Sequence, residues 1–225
     1  MNNKIPSLTL ATSAQKYIAV ALAFCILATP TFAATPEKHG IKVPSTISVD
    51  AIPVCFDFGC KSQEIVSLPL TRWSQIAEIF LPPADTARQE RKQIAEAVGT
   101  MEALVGLYTP THNDLAFGLP KDDSTNRPTG QLDCIDEAVN TTTYMHLFEK
   151  SGFLKHHTVI EQSYRRSLFI QHWAGQLEEQ ATGKHWSVDS WFYPNGYPPI
   201  IQQTSDWKDL SLLTWLKRKF KKNRK

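Results

Sequence analysis

The sequence predicts an α+β fold, a helical N-terminal half packed on an antiparallel β-sheet. Two observations carry this. Apolar residues recur at helical spacing up to about residue 151, and beyond it β-branched and aromatic residues take over, with alternation near period two. A third observation concerns compartment. Lys4 and Lys16 precede the apolar run YIAVALAFCILA (Tyr17 to Ala28), and TPTFA follows, the pattern of a signal peptide cleaved near Ala33. The run is 12 residues long, whereas a membrane span needs about 20. Cys25 is not read as a lipid anchor, because the bulky Phe24 precedes it. The chain is expected to be exported, periplasmic or secreted. Removing residues 1–33 from 225 leaves 192, enough for one domain with its own core.

Residues 34–69 read as an extended lead-in, with AIPVCFDFGC as a short strand and turn. LTRWSQIAEIF (Leu70 to Phe80) has helical spacing, with Trp73, Ile76 and Phe80 on one face. LPPADTARQERKQ marks a stop and a fresh start, with Asp85 or Thr86 as N-cap. From there Ile94, Val98, Met101, Val105 and Tyr108 form one apolar stripe, which predicts a core-packing helix from Thr86 to about Tyr108. Residues 109–130 form a long polar loop with three prolines and two glycines, placed to shape a cleft where it meets the next helix. That helix runs from Asp133 to about Ser151, closed by Gly152, with Ala138, Thr142, Met145 and Phe148 inward. Leu168 to Glu179 and Lys184 to Tyr193 read as a β-hairpin, and PNGYPP as its turn-rich exit. DLSLLTWLKRKFKKNRK ends the sequence as a short helix and basic run, so residues 208–225 form a basic amphipathic tail.

The charge pattern is uneven. Without the two leader lysines, 22 basic residues face 22 acidic ones; seven of the basic residues lie in the last nine positions, leaving the body 15 against 22. An acidic body argues against nucleic-acid binding. The tail, residues 217–225, is a candidate docking element for an anionic membrane surface or an acidic partner.

Three cysteines remain beyond the leader. Cys55 and Cys60 are spaced to close a small disulfide loop in an oxidising compartment, which leaves Cys134 as the odd thiol. Cys134 stands at a helix mouth, where unpaired N–H groups and the helix dipole favour a thiolate. Asp133 and Asp136 bracket it as helix-capping residues, and as acidic neighbours they act on the thiol in the opposite sense. A cysteine nucleophile needs a base, and the base needs an orienting partner. Of the seven histidines, only His172 and His185 lie in the hairpin. A hairpin folded about the midpoint between Gln180 and Ala181 sets Asp189 opposite His172; His185 shares a face with Asp189 and is the alternative base. An oxyanion hole would use the Cys134 N–H, with Gln131 as a weaker side-chain candidate.

Cysteine on a helix, then histidine and aspartate on successive strands, is the order of the transglutaminase-like, papain-like group. LDCIDEA resembles the GDCEDYA-type segment of bacterial transglutaminase-like cysteine peptidases, and HWAGQLEEQATGKHWSVDSW is similar to their HAVL…VLDN strand–turn–strand. Leu132 stands where that family carries glycine, and Glu137 where it carries an aromatic. The resemblance spans residues 130–192 and implies a transglutaminase-like domain over 70–207 with a papain-like core. It implies Cys134 as nucleophile, His172 as general base and Asp189 as orienting acid. The expected activity is that of a thiol hydrolase or acyltransferase, foremost a cysteine peptidase acting on peptide or side-chain amide bonds of a protein or peptide substrate. The alternatives are a cell-wall peptide amidase, or a catalytically inactive binding or scaffold protein of the same fold. No cofactor is expected. A metal site from Cys134, His172, His185 and Asp189 lacks any short-spaced ligand pair, and the acidic residues do not follow a calcium-loop spacing.

Overall fold

The computed structural model describes residues 46–118, 128–166 and 171–209. The expected signal peptide, the middle of the polar loop, the first residues of the expected hairpin and the tail from residue 210 lie outside the described residues. The architecture is α+β, with helices and two antiparallel sheets. Strand β1 (Ile52–Phe56) is buried along its whole length and pairs antiparallel with β2 (Ser62–Val66), of which only Val66 is buried. A Cys55–Cys60 disulfide closes the turn between them. Helix α1 (Leu70–Ile79) follows, then α2 (Ala87–Val105), whose N-cap Thr86 accepts a hydrogen bond from Gln89 N. Ile94, Val98, Met101 and Val105 are buried as the stripe predicts, but Tyr108 is 47% exposed. The helix stops at Val105 and the chain turns at Gly106, which takes Tyr108 off the helical face.

Helix α3 (Cys134–Lys150) is the centre of the molecule. Ala138, Thr142, Met145 and Phe148 are buried as expected, yet so is every residue from Asp136 to Met145. A helix buried all round packs against elements on several sides, here β1, α2 and the sheet of β3 and β4. Most of its polar residues find partners in the helix or on β1, although Glu137 Oε2 has no hydrogen-bond partner among the described residues. Thr142 and Thr143 donate to the carbonyls of Ala138 and Val139, and the Asn140 amide bonds both N and O of Cys55, serving β1 as a neighbouring strand would.

The second sheet is a four-stranded antiparallel meander of β3 (His157–Arg166), β4 (Gln171–Glu179), β5 (Lys184–Asp189) and β6 (Ile200–Gln203), in that order. A short helix α4 (Thr204–Lys208) follows. The β4–β5 register corrects the sequence expectation by two residues. Glu179 pairs with Lys184 and Gly175 with Val188, so the fold centre lies between Ala181 and Thr182. The cause is the turn: the N–H groups of Thr182 and Gly183 both bond Glu179 O, and Gly183 takes φ +64°, closing a four-residue loop. Continuing that register sets residue 174 opposite Asp189, with His172 its diagonal neighbour on the same face. Gly175 lets α3 lie close on β4, because a Cβ there would sit 2.8 Å from Met145 Cε and 3.0 Å from Thr141 Cγ2. Among the described residues no helix is long and apolar enough to cross a membrane.

Candidate active site

Cys134 is the first residue of α3. The Asp133 carboxylate accepts hydrogen bonds from Ile135 N at 2.9 Å and Asp136 N at 3.0 Å, and the Asp136 carboxylate accepts from Asp133 N at 3.1 Å. This reciprocal box satisfies the N–H groups of Asp133, Ile135 and Asp136 and fixes where the cysteine enters the helix.

Asp136 does more than cap. It also accepts from Phe58 N at 2.8 Å and from Cys60 N, in a turn where residues 57–60 all have positive φ. From the same turn Asp57 accepts from Gly130 N, and Asp57 N donates to Gln131 O. The disulfide-closed loop therefore braces both the approach to Cys134 and the first turn behind it. The sequence alone reads this stretch as a lead-in with a disulfide loop and Asp136 as a capping residue; the bonds from Phe58 N and Cys60 N add the bracing role.

The Cys134 thiol packs on the backbone of β4. It donates toward Gln171 O at 4.0 Å, and the backbone N–H of Trp173 favours its ionised form; these are the two residues flanking His172. His172 Nε2 lies 2.8 Å from Asp189 Oδ2, and both side chains are almost fully buried. An ionised carboxylate only accepts, so Nε2 carries the hydrogen and the basic lone pair falls on Nδ1. Trp207, in α4, donates from Nε1 to the same Asp189 oxygen at 2.7 Å and stacks on the imidazole with centroids 5.5 Å apart. The Arg165 guanidinium lies 4.3 Å over the Trp207 ring and bonds its carbonyl. Trp207 was not anticipated, since it enters through β6 and α4, which no pattern announced.

The electrostatics oppose a resting thiolate. Burial pushes the Cys134 thiol up to about 11, and the charges of Asp133 and Asp189 add to that. The N–H groups of Trp173 and of Cys134 itself pull the other way without prevailing.

The remaining expected residues lie elsewhere in the arrangement. Gln131 is buried, and its amide braces the polar loop, with Nε2 donating to Asn113 O at 2.6 Å and Oε1 accepting from Leu115 N at 3.4 Å. The backbone N–H of Cys134 itself favours the ionised sulfur. His185 sits near the turn end of the hairpin, about half exposed, and meets Glu178 at 3.2 Å; Asp189 takes His172 instead. Among the described residues no group of His, Cys, Asp and Glu side chains converges as a metal site. Comparison with family models, with curated proteins and with solved structures finds no match to this chain.

Proposed function

We propose that the chain is an exported thiol hydrolase or acyltransferase of the transglutaminase-like, papain-like kind, foremost a cysteine peptidase. One observation carries the reading: a buried His172–Asp189 pair on one sheet face, with the Cys134 thiol 4.0 Å from the carbonyl of Gln171, the residue before His172.

The chemistry follows from the atoms. Nδ1 of His172 takes the Sγ proton as the sulfur attacks a carbonyl carbon, and Asp189 stabilises the imidazolium through Nε2. The developing oxyanion meets the Cys134 N–H at the positive end of α3. The C–N bond breaks, the amine leaves with the proton from Nδ1, and a thioester remains on Cys134. Water, or a second amine, attacks the thioester and gives its proton to Nδ1. The acyl group departs as an acid or a new amide, and the proton returns to sulfur. A thiol raised to about 11 is neutral at rest, so deprotonation accompanies attack.

The second reading, a binding protein of the same fold without turnover, is favoured by that same raised thiol. Iodoacetamide alkylation of Cys134, followed by mass spectrometry against pH, separates the two. The peptidase reading expects His172→Ala to slow alkylation near pH 8 by about tenfold or more, as loss of a general base does. Peptide-library cleavage should also vanish in Cys134→Ser. Alkylation indifferent to His172, with no cleavage, transfers the case to the binding reading.

A further inference from the structure

Beside His172 stands a set of aromatic rings that the triad does not use. Trp191 lies 4.9 Å and Phe192 5.7 Å from the imidazole, centroid to centroid. Phe117, from the polar loop, meets Trp191 at 5.2 Å and Phe192 at 5.7 Å, edge to face in both cases. Phe117 as a residue is 47% exposed. Its backbone is held at φ +64°, a left-handed conformation unfavourable for a bulky side chain. Two hydrogen bonds impose it: Phe117 N donates to Trp191 O at 3.0 Å, and Trp191 Nε1 donates to Gly118 O at 2.9 Å. Strain of this kind persists where the surroundings over-determine it, and it gathers at ligand-holding positions. Burial cannot be the reason here, because the strained residue stays about half exposed.

We propose that Phe117, Trp191 and Phe192 form an apolar subsite beside His172 that receives a large apolar side chain of the substrate, above all an aromatic one. The inference rests on the peptidase reading and adds a substrate class to it. The three rings offer edges and faces suited to a fourth ring. Charge selects in the same direction: Asp133 and Asp189 flank the thiol and the body carries a surplus of acids, so an acidic side chain is repelled.

The test compares two alkylating probes on Cys134, iodoacetamide and N-(2-phenylethyl)iodoacetamide, each rate normalised to that of N-acetylcysteine. The subsite expects the phenylethyl reagent to be favoured by about tenfold and its rate to saturate with concentration. Both features should disappear in Phe117→Ala. They should also disappear in Phe117→Gly, which removes the ring while relaxing the backbone. A ratio equal to that of free cysteine overturns the subsite, and so does a preference that survives both variants. The dependence of the iodoacetamide rate on His172 is read separately, so failure of the subsite is distinguishable from failure of the peptidase reading.

Discussion

Cys134 feels two opposed fields. The helix mouth and two backbone N–H groups favour its thiolate; burial, Asp133 and Asp189 disfavour it more strongly, and the thiol rises to about 11. Asp133 is the contribution that can be altered alone. Asp133→Asn keeps a good N-cap while removing the charge, so the midpoint of alkylation rate against pH should move down from about 11; an unmoved midpoint would show that the Asp133 charge does not act on the thiol. Trp207 is the other informative residue at this scale. It bonds the oxygen that also receives His172, while Asp189 Oδ1 has no hydrogen-bond partner among the described residues. Trp207→Phe keeps an aromatic face on the imidazole and removes the donor. Urea unfolding should register a loss of about 1–3 kcal/mol, the usual worth of a hydrogen bond to a buried charge.

At the scale of elements, the β1–β2 hairpin and the mouth of α3 act as one unit. Asp136 accepts from Phe58 N, Cys60 N and Asp133 N, and the disulfide holds the first two donors in place. Closing so short a loop should contribute about 2 kcal/mol. Cys55→Ser with Cys60→Ser should cost that amount. Combined with Asp136→Asn, the loss should fall short of the sum by about 1 kcal/mol, because the two changes remove parts of one network; strict additivity would separate the loop from the helix mouth. The helices and their caps were legible because each signal is local: Thr86 before an apolar stripe, Asp133 three residues before Asp136. The His172–Asp189 pairing was legible for a related reason, since a two-residue slip in register preserves the face. What stayed hidden depends on distant contacts. β2 is mostly exposed and polar, β6 has only four half-buried residues, and Trp207 reaches Asp189 only because β6 brings it there. Gln131 looked like a donor facing the thiol, but a loop 16 to 18 residues away in sequence takes its amide.

At the scale of the whole molecule, buried acids set how stability depends on pH. Glu102, in α2, is fully enclosed; Oε2 accepts from Gly196 N at 3.0 Å, and Oε1 has no hydrogen-bond partner among the described residues. Burial raises it to about 7 and the nearby Asp114 adds to that, while Ser190 and Gly196 N lower it. Glu137, one turn into α3, is pushed well above the ordinary range by burial and then by Glu102, Asp114, Asp136 and Asp189. Asp136 rises to about 7 through burial and Asp133, against the pull of its three N–H donors. A carboxyl raised on folding binds more protons in the folded chain than in the unfolded one between pH 4.5 and its folded value. Stability therefore falls as pH rises across that window, and for Glu102 the fall ends near pH 7. Glu90 works in the opposite sense, held below 4.5 by His157 and the N–H groups of Lys155 and His156 despite its burial, so it contributes above pH 4.5 and is lost below. The melting temperature should then peak near pH 5 and decline toward pH 7. Glu102→Gln retains an acceptor for Gly196 N and removes one titrating group, so its decline between pH 5 and 7 should be shallower than that of the wild type. Parallel profiles for the two proteins would mean that Glu102 ionises as freely in the fold as out of it. A shallower profile would place beneath the Cys134 helix a carboxyl that is still about half protonated near pH 7.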